Sequence, residues 1–214
     1  DWTMDIGRHF IMLDGVIWKK KGYACCGWAH AGVEGAHEVV QENSIALEWI
    51  DRITVEAFHE TVRLGTELPT TTEEAQFNLA WPIAVMLVDG EIGPRQMLEK
   101  RLNDPIVKTM AQKVEVVESE ELNRLCRLRE QGDPEGCFAS IVTICLKDGR
   151  EFTSGLKDGG MALSKGGWTR EMMADKFQWL AAHVMEQKKI DEILDMTWHL
   201  DEMDSVRELT TKLK

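Results

Sequence analysis

The chain has 214 residues, 43% of them hydrophobic, with 37 acidic against 25 basic side chains and a net charge of −12. That length supports one sizeable core, or one core with an appendage. The acidity excludes a non-specific nucleic-acid binder, which needs clustered Lys and Arg against phosphate. No apolar run approaches the roughly 20 residues that span a bilayer. Asp1 and Asp5 stand where a signal peptide has its basic region, and five cysteines, an odd number, fit reduced thiols, so a cytoplasmic location is expected.

In chain order, residues 9–18 read as a strand and 31–43 as a helix. Between them lies Lys21-Gly22-Tyr23-Ala24-Cys25-Cys26-Gly27-Trp28-Ala29-His30. A lysine, two thiols and a histidine thus crowd a strand-to-helix loop, where helix N–H groups and Lys21 favour a small anion. Ile50 to Phe58 reads as a second strand. Thr71-Thr72-Glu73-Glu74 is a capping box that starts a helix towards Val88. Pro82 removes a donor inside that helix and predicts a kink or split between Asn78 and Trp81. Short helices are expected over Gln96–Leu102 and from Asn103-Asp104-Pro105 to Met110.

Val114 to Val117 reads as a third strand. The charged stretch Cys126 to Gly136, with Gly132-Asp133-Pro134, reads as a surface loop. Phe138–Leu146 and Arg150–Leu156 read as a hairpin closed by Asp148-Gly149. Lys157 to Gly167 is glycine-rich and reads as a loop at the edge of a cleft. From Thr169 the pattern is helical, with apolar stripes at Met173, Phe177, Leu180 and Val184, at Ile190, Ile193 and Leu194, and at Met203, Val206, Leu209 and Leu213. The expected class is α+β: a mainly antiparallel sheet covered by helices over residues 1–167, then C-terminal helices over 168–214 whose apolar stripes need an opposing surface.

The loop from Lys21 to His30 resembles the K-P-Y-P-C-C…H loop of the MmgE/PrpD family. Thr71-Thr72-Glu73-Glu74-Ala75-Gln76-Phe77-Asn78-Leu79-Ala80-Trp81 and Leu87-Val88-Asp89-Gly90 are similar to that family's T-x-E-E-A-Q-F-S-L-P-Y…L-L-D-G. Weaker likenesses follow at Leu102 to Val107, Asp148-Gly149-Arg150 and Lys176-Phe177. The family includes 2-methylcitrate dehydratases, cis-aconitate decarboxylase and iminodisuccinate epimerase. The resemblance implies a smaller α+β domain over an active-site cleft, plus the C-terminal helices of a helical domain. The helical half, which in the family supplies catalytic Asp and His positions, is then expected from a partner subunit, and the chain is expected to be a separately encoded subunit or a fragment. An oligomer is also expected.

The implied activity is that of a lyase or isomerase acting on a small di- or tricarboxylate. A proton is removed next to a carboxylate, and dehydration, hydration or epimerisation follows. The resemblance implies Lys21 as the group that binds a substrate carboxylate and His30 as a general acid–base. Cys26 and Trp81 are the other candidate substrate contacts. Cys26 stands where some members place an active-site histidine, and Trp81 where the family usually has tyrosine. Trp81 is expected to line one pocket with Lys21 and His30. Tyr23 and Cys25 read as packing residues, and His59, His183 and His199 as structural. Neither metal nor organic cofactor is expected, nor a nucleic acid or membrane partner. The alternative reading is a catalytically silent scaffold or regulatory partner of such an enzyme.

Overall fold

The computed structural model describes residues 23–159 and 169–213. The strand expected over 9–18, Lys21, and residues 160–168 of the glycine-rich stretch lie outside the described residues. The chain divides into two units, Asp1–Gly166 and Gly167–Lys214.

The first unit is built on a four-stranded sheet in the order β2-β1-β3-β4. Its strands are β1 (Ile50–Ala57), β2 (Val114–Glu118), β3 (Ala139–Leu146) and β4 (Glu151–Asp158). β1 runs parallel to β2, with Ala57 opposite Glu118, and antiparallel to β3, which forms a hairpin with β4. A parallel neighbour demands a long crossover, and the helices between β1 and β2 supply it. They are α2 (His59–Val62), α3 (Thr72–Gln76), α4 (Ala80–Asp89), α5 (Glu99–Leu102) and α6 (Pro105–Ala111).

One face of the sheet is apolar because alternate residues point to it: Ile53, Val55, Val142, Ile144 and Leu146 are all buried there. Helix α1 (His30–Glu42) lies on this face, against β3 and β4. The approach is close at Gly35, where an added Cβ would meet Val142 Cγ2 at 2.8 Å. Helix α4 packs on α1 and α6 and completes the core.

The capping box forms as read: Thr71 Oγ1 accepts the Glu74 N–H at 3.1 Å, and the Glu74 carboxylate accepts the Thr71 N–H at 3.2 Å. The helix it starts then splits at Phe77–Leu79. Pro82 falls in the first turn of α4, where its missing N–H costs nothing, and Asn78 Oδ1 accepts the Trp81 N–H at 2.7 Å.

One segment departs from the sequence reading. Cys126 to Glu130 is not loop but the second half of helix α7 (Glu120–Glu130). Leu122 and Cys126, one turn apart, are buried on its inner side, which the density of charge conceals. Acidic residues in the first turn and arginines in the last suit the helix dipole. The helix ends in a Schellman motif: Asp133 N–H donates to Leu128 O at 2.9 Å and Gly132 N–H to Arg129 O at 3.0 Å, with Gly132 at φ +79°.

The second unit consists of α8 (Arg170–Ala181), α9 (Gln187–Trp198) and α10 (Arg207–Lys212). Thr169 caps α8 by accepting the Met172 N–H at 3.2 Å. Among its described residues, Ala181, Ile190 and Ile193 are the buried apolar ones.

Candidate functional site

The two blocks of sequence singled out above, far apart in the chain, meet at the N-terminus of α1. Cys26 N–H donates to Gln76 O at 2.7 Å, and Ala24 N–H to Ile92 O at 2.9 Å. The loop Tyr23–Cys26 is therefore laced onto the end of α3 and onto the segment that follows α4. A 3-10 turn, Gly27–Ala29, carries the chain into α1. Gly159, at the end of β4, passes so near that an added Cβ would lie 3.3 Å from Ala31 N and 3.5 Å from Gly27 O. Gly159 thus stands beside this loop.

His30 opens α1 and is 3% exposed. Its Nε2 lies 3.3 Å from Cys25 O. A carbonyl oxygen only accepts, so in this contact Nε2 carries the proton. Tyr23 meets the imidazole edge-on at 4.9 Å. Cys26 is half-buried and precedes the 3-10 turn. Tyr23 and Cys25 pack against the main core.

Trp81 does not join a pocket. It has no accessible surface, and its indole N–H donates to Gln96 O at 3.4 Å. The split at Asn78 starts α4 with Trp81 turned into the core, so no ring face is left for a substrate. Lys21 lies outside the described residues. Lys157 is paired with Glu38 of α1.

At the same end of the sheet lies a polar group that no local motif announces. His59 opens α2, Glu118 ends β2 and Asn123 sits in α7; they are joined by hydrogen bonds between residues 59 and 64 positions apart. A surface cleft of about 480 Å³, lined by Leu47, Ile106, Met110 and Lys113, lies instead beyond the opposite ends of β1 and β2. Among the described residues, no cluster of three or more His, Cys, Asp or Glu is placed to hold a metal ion. No described helix is long and apolar enough to cross a membrane.

Residues 23–201 match the family model described as the MmgE/PrpD C-terminal domain. The chain is 27% identical over 203 residues to cis-aconitate decarboxylase of Aspergillus terreus, and equally to that of strain NIH 2624 / FGSC A1156. Each match takes in 88% of this chain and 39% of the relative. The chain therefore spans well under half the length of the curated relatives it matches.

Proposed function

We propose, from the premise that the chain belongs to the MmgE/PrpD family, that it is the smaller, cleft-covering part of an enzyme acting on small di- or tricarboxylates. The observation that carries this reading is the convergence of the two sequence blocks around buried His30 at the start of α1. The chemistry would be removal of a proton next to a carboxylate, followed by loss or gain of water or by epimerisation. Lys21, which precedes the laced loop, would hold one substrate carboxylate by a charge-assisted contact. His30, buried at the start of α1, would serve as an acid–base group. Cys26, in the same loop as His30, would be a small polar contact. The remainder of the family fold, a helical half carrying further catalytic residues, would come from a partner or from a further part of the protein. The C-terminal helices would pack on it.

The test is isolation of the assembly that the tagged chain forms in its source cells. It is followed by ¹H NMR of a panel of small di- and tricarboxylates incubated with that assembly in D2O. Deuterium should appear next to a carboxylate, with or without net dehydration. His30→Gln should depress kcat. Lys21→Met should raise KM by roughly tenfold or more, since a hydrogen bond to a charged group contributes about 1.5–3 kcal/mol. An assembled complex that exchanges no carbon-bound proton in any member of the panel would leave the scaffold reading in possession.

A further inference from the structure

The carboxyl ends of two neighbouring parallel strands are where α/β sheets gather reactive side chains. Here β1 and β2 form that pair, and they deliver His59 and Glu118 to the same edge. The two side chains belong to a closed ring of three hydrogen bonds. Asn123 Oδ1 accepts the backbone N–H of His59 at 2.7 Å. Asn123 Nδ2 donates to Glu118 Oε1 at 2.9 Å. Glu118 Oε2 lies 3.3 Å from His59 Nδ1. Asn123 is buried on α7, so the ring is anchored from below.

The donors fix the chemistry. The Asn123 amide, and after it the His59 ring, hold the Glu118 carboxyl below its usual range. A carboxylate can only accept, so Nδ1 of His59 carries the proton and Nε2 of the neutral ring keeps its lone pair. The side chain is 55% exposed, and among the described residues only Nδ1 of the ring has a hydrogen-bond partner. The neighbouring thiol does not compete: burial pushes Cys126 up to about 11, and its Sγ lies 3.9 Å from Glu60 Oε2.

The dyad adjoins the loop already described. Thr61, two residues after His59, donates through Oγ1 to Trp28 O at 3.1 Å. The Trp28 ring meets Phe58 edge-on at 6.5 Å. Trp28 lies in the 3-10 turn that leads into His30.

We propose that His59 is a second proton-transfer residue of this sheet end, with its ring positioned by Glu118 and Asn123 so that Nε2 serves a carboxylate substrate seated beside the Cys25–His30 loop. The proposal rests on the reading of the chain as part of a carboxylate lyase or isomerase. In the step, the C–H bond next to the carboxylate breaks and its electron pair stays on the substrate as an enolate-like carboxylate. Nε2 gains the proton, and the imidazolium is stabilised by Glu118. The imidazolium of the solvent-exposed ring, whose N–H exchanges with water, then gives a proton to a departing hydroxyl, which leaves as water, or to carbon.

Two measurements test it. Long-range ¹H–¹⁵N NMR of the whole chain should show His59 as a single Nδ1–H tautomer, and Glu118→Ala should turn it into a mixture. In the isolated assembly, His59→Gln should lower kcat about a hundredfold at unchanged KM, the low end for loss of a general acid–base. Glu118→Ala should lower it less and shift the pH–rate profile. A mixed tautomer in the wild type overturns the proposal, as does wild-type kcat in His59→Gln. A wild-type assembly that exchanges no carbon-bound proton removes the lyase or isomerase reading itself, and the role of His59 with it, whatever the tautomer.

Discussion

The two units bury their apolar residues to very different degrees. In the first, one sheet face, α1 and α4 close over side chains such as Trp81, Ile53 and Ile144 that have no accessible surface. In the second, Met173, Leu180, Val206 and Leu213 remain exposed, and Val184 is 81% exposed. The apolar stripes of α8, α9 and α10 line an open groove of about 310 Å³. The helices have the periodicity of packed helices without a completed core. Apolar stripes specify that a helix will be covered, not by what. The first unit carries its own cover, and on the proposed reading the helical half would cover the second.

The hardest blow to this contrast would come from Trp81. Trp81→Ala should cost the first unit about 3–5 kcal/mol, as large aromatic deletions in closed cores do. Denaturant unfolding of the full chain checks it. Trp81→Tyr should cost less, because the phenol fills part of the volume. A loss under about 1 kcal/mol in Trp81→Ala would mean that this core is not closed.

Hydrogen exchange sharpens the same comparison without mutation. Amides of β1 and β3 should exchange only through opening of the whole first unit. Those of α8–α10 should exchange through local opening, and so far sooner. Equal protection in the two units would show that the helices are already fully stabilised by themselves.

A smaller effect is expected at Asp104, which caps α6. Its Oδ1 accepts the N–H groups of Ile106 at 2.8 Å and Val107 at 3.1 Å, and its Oδ2 pairs with Arg101 at 2.6 Å. Arg101 also pairs with Asp89 at the end of α4. Asp104→Ala should cost about 1 kcal/mol, within the 0.5–2 range for such caps. The Val107 N–H, first among several causes, holds the Asp104 carboxyl below its usual range. A depressed carboxyl contributes stability above its unfolded value of about 3.9 and loses that contribution as pH falls through its folded value. The wild type should therefore lose more stability than Asp104→Asn between pH 5 and the acid limit of unfolding experiments, and urea titrations across that window check it.

What could be read in the sequence was local chemistry. The capping box at Thr71, the split before Pro82 and the hairpin at Asp148-Gly149 each depend on a few adjacent residues. Helix α7 was not legible as a helix because its inner residues Leu122 and Cys126 stand among charges that suggest a solvated loop. Trp81 shows a different limit. A break in a helix can be located from Pro82, but the direction in which the next turn points is set by packing against Gln96 and the rest of the core. The ring of His59, Asn123 and Glu118 was beyond sequence reasoning, since its members come from three elements and no short spacing links them. The first described residues of the candidate loop were legible for the opposite reason: Tyr23 to His30 keep identity and order together.

The smallest expected effect bears most directly on the contrast between the units. Met173 lines the groove on α8 and is 40% exposed. Met173→Lys removes no buried contact of the size that decides stability, and its long stem can still lie along apolar surface while the ammonium reaches water. In the chain alone it should change unfolding free energy by no more than about 0.5 kcal/mol, as exposed substitutions do. On the proposed reading the same charge would be driven into an apolar interface with the helical half, where it has no partner and must lose its hydration. The variant should then fail to copurify with that half while the chain itself unfolds as the wild type does. Loss of intrinsic stability in Met173→Lys, with association intact, would place this residue in the unit's own core and reverse the assignment of the groove.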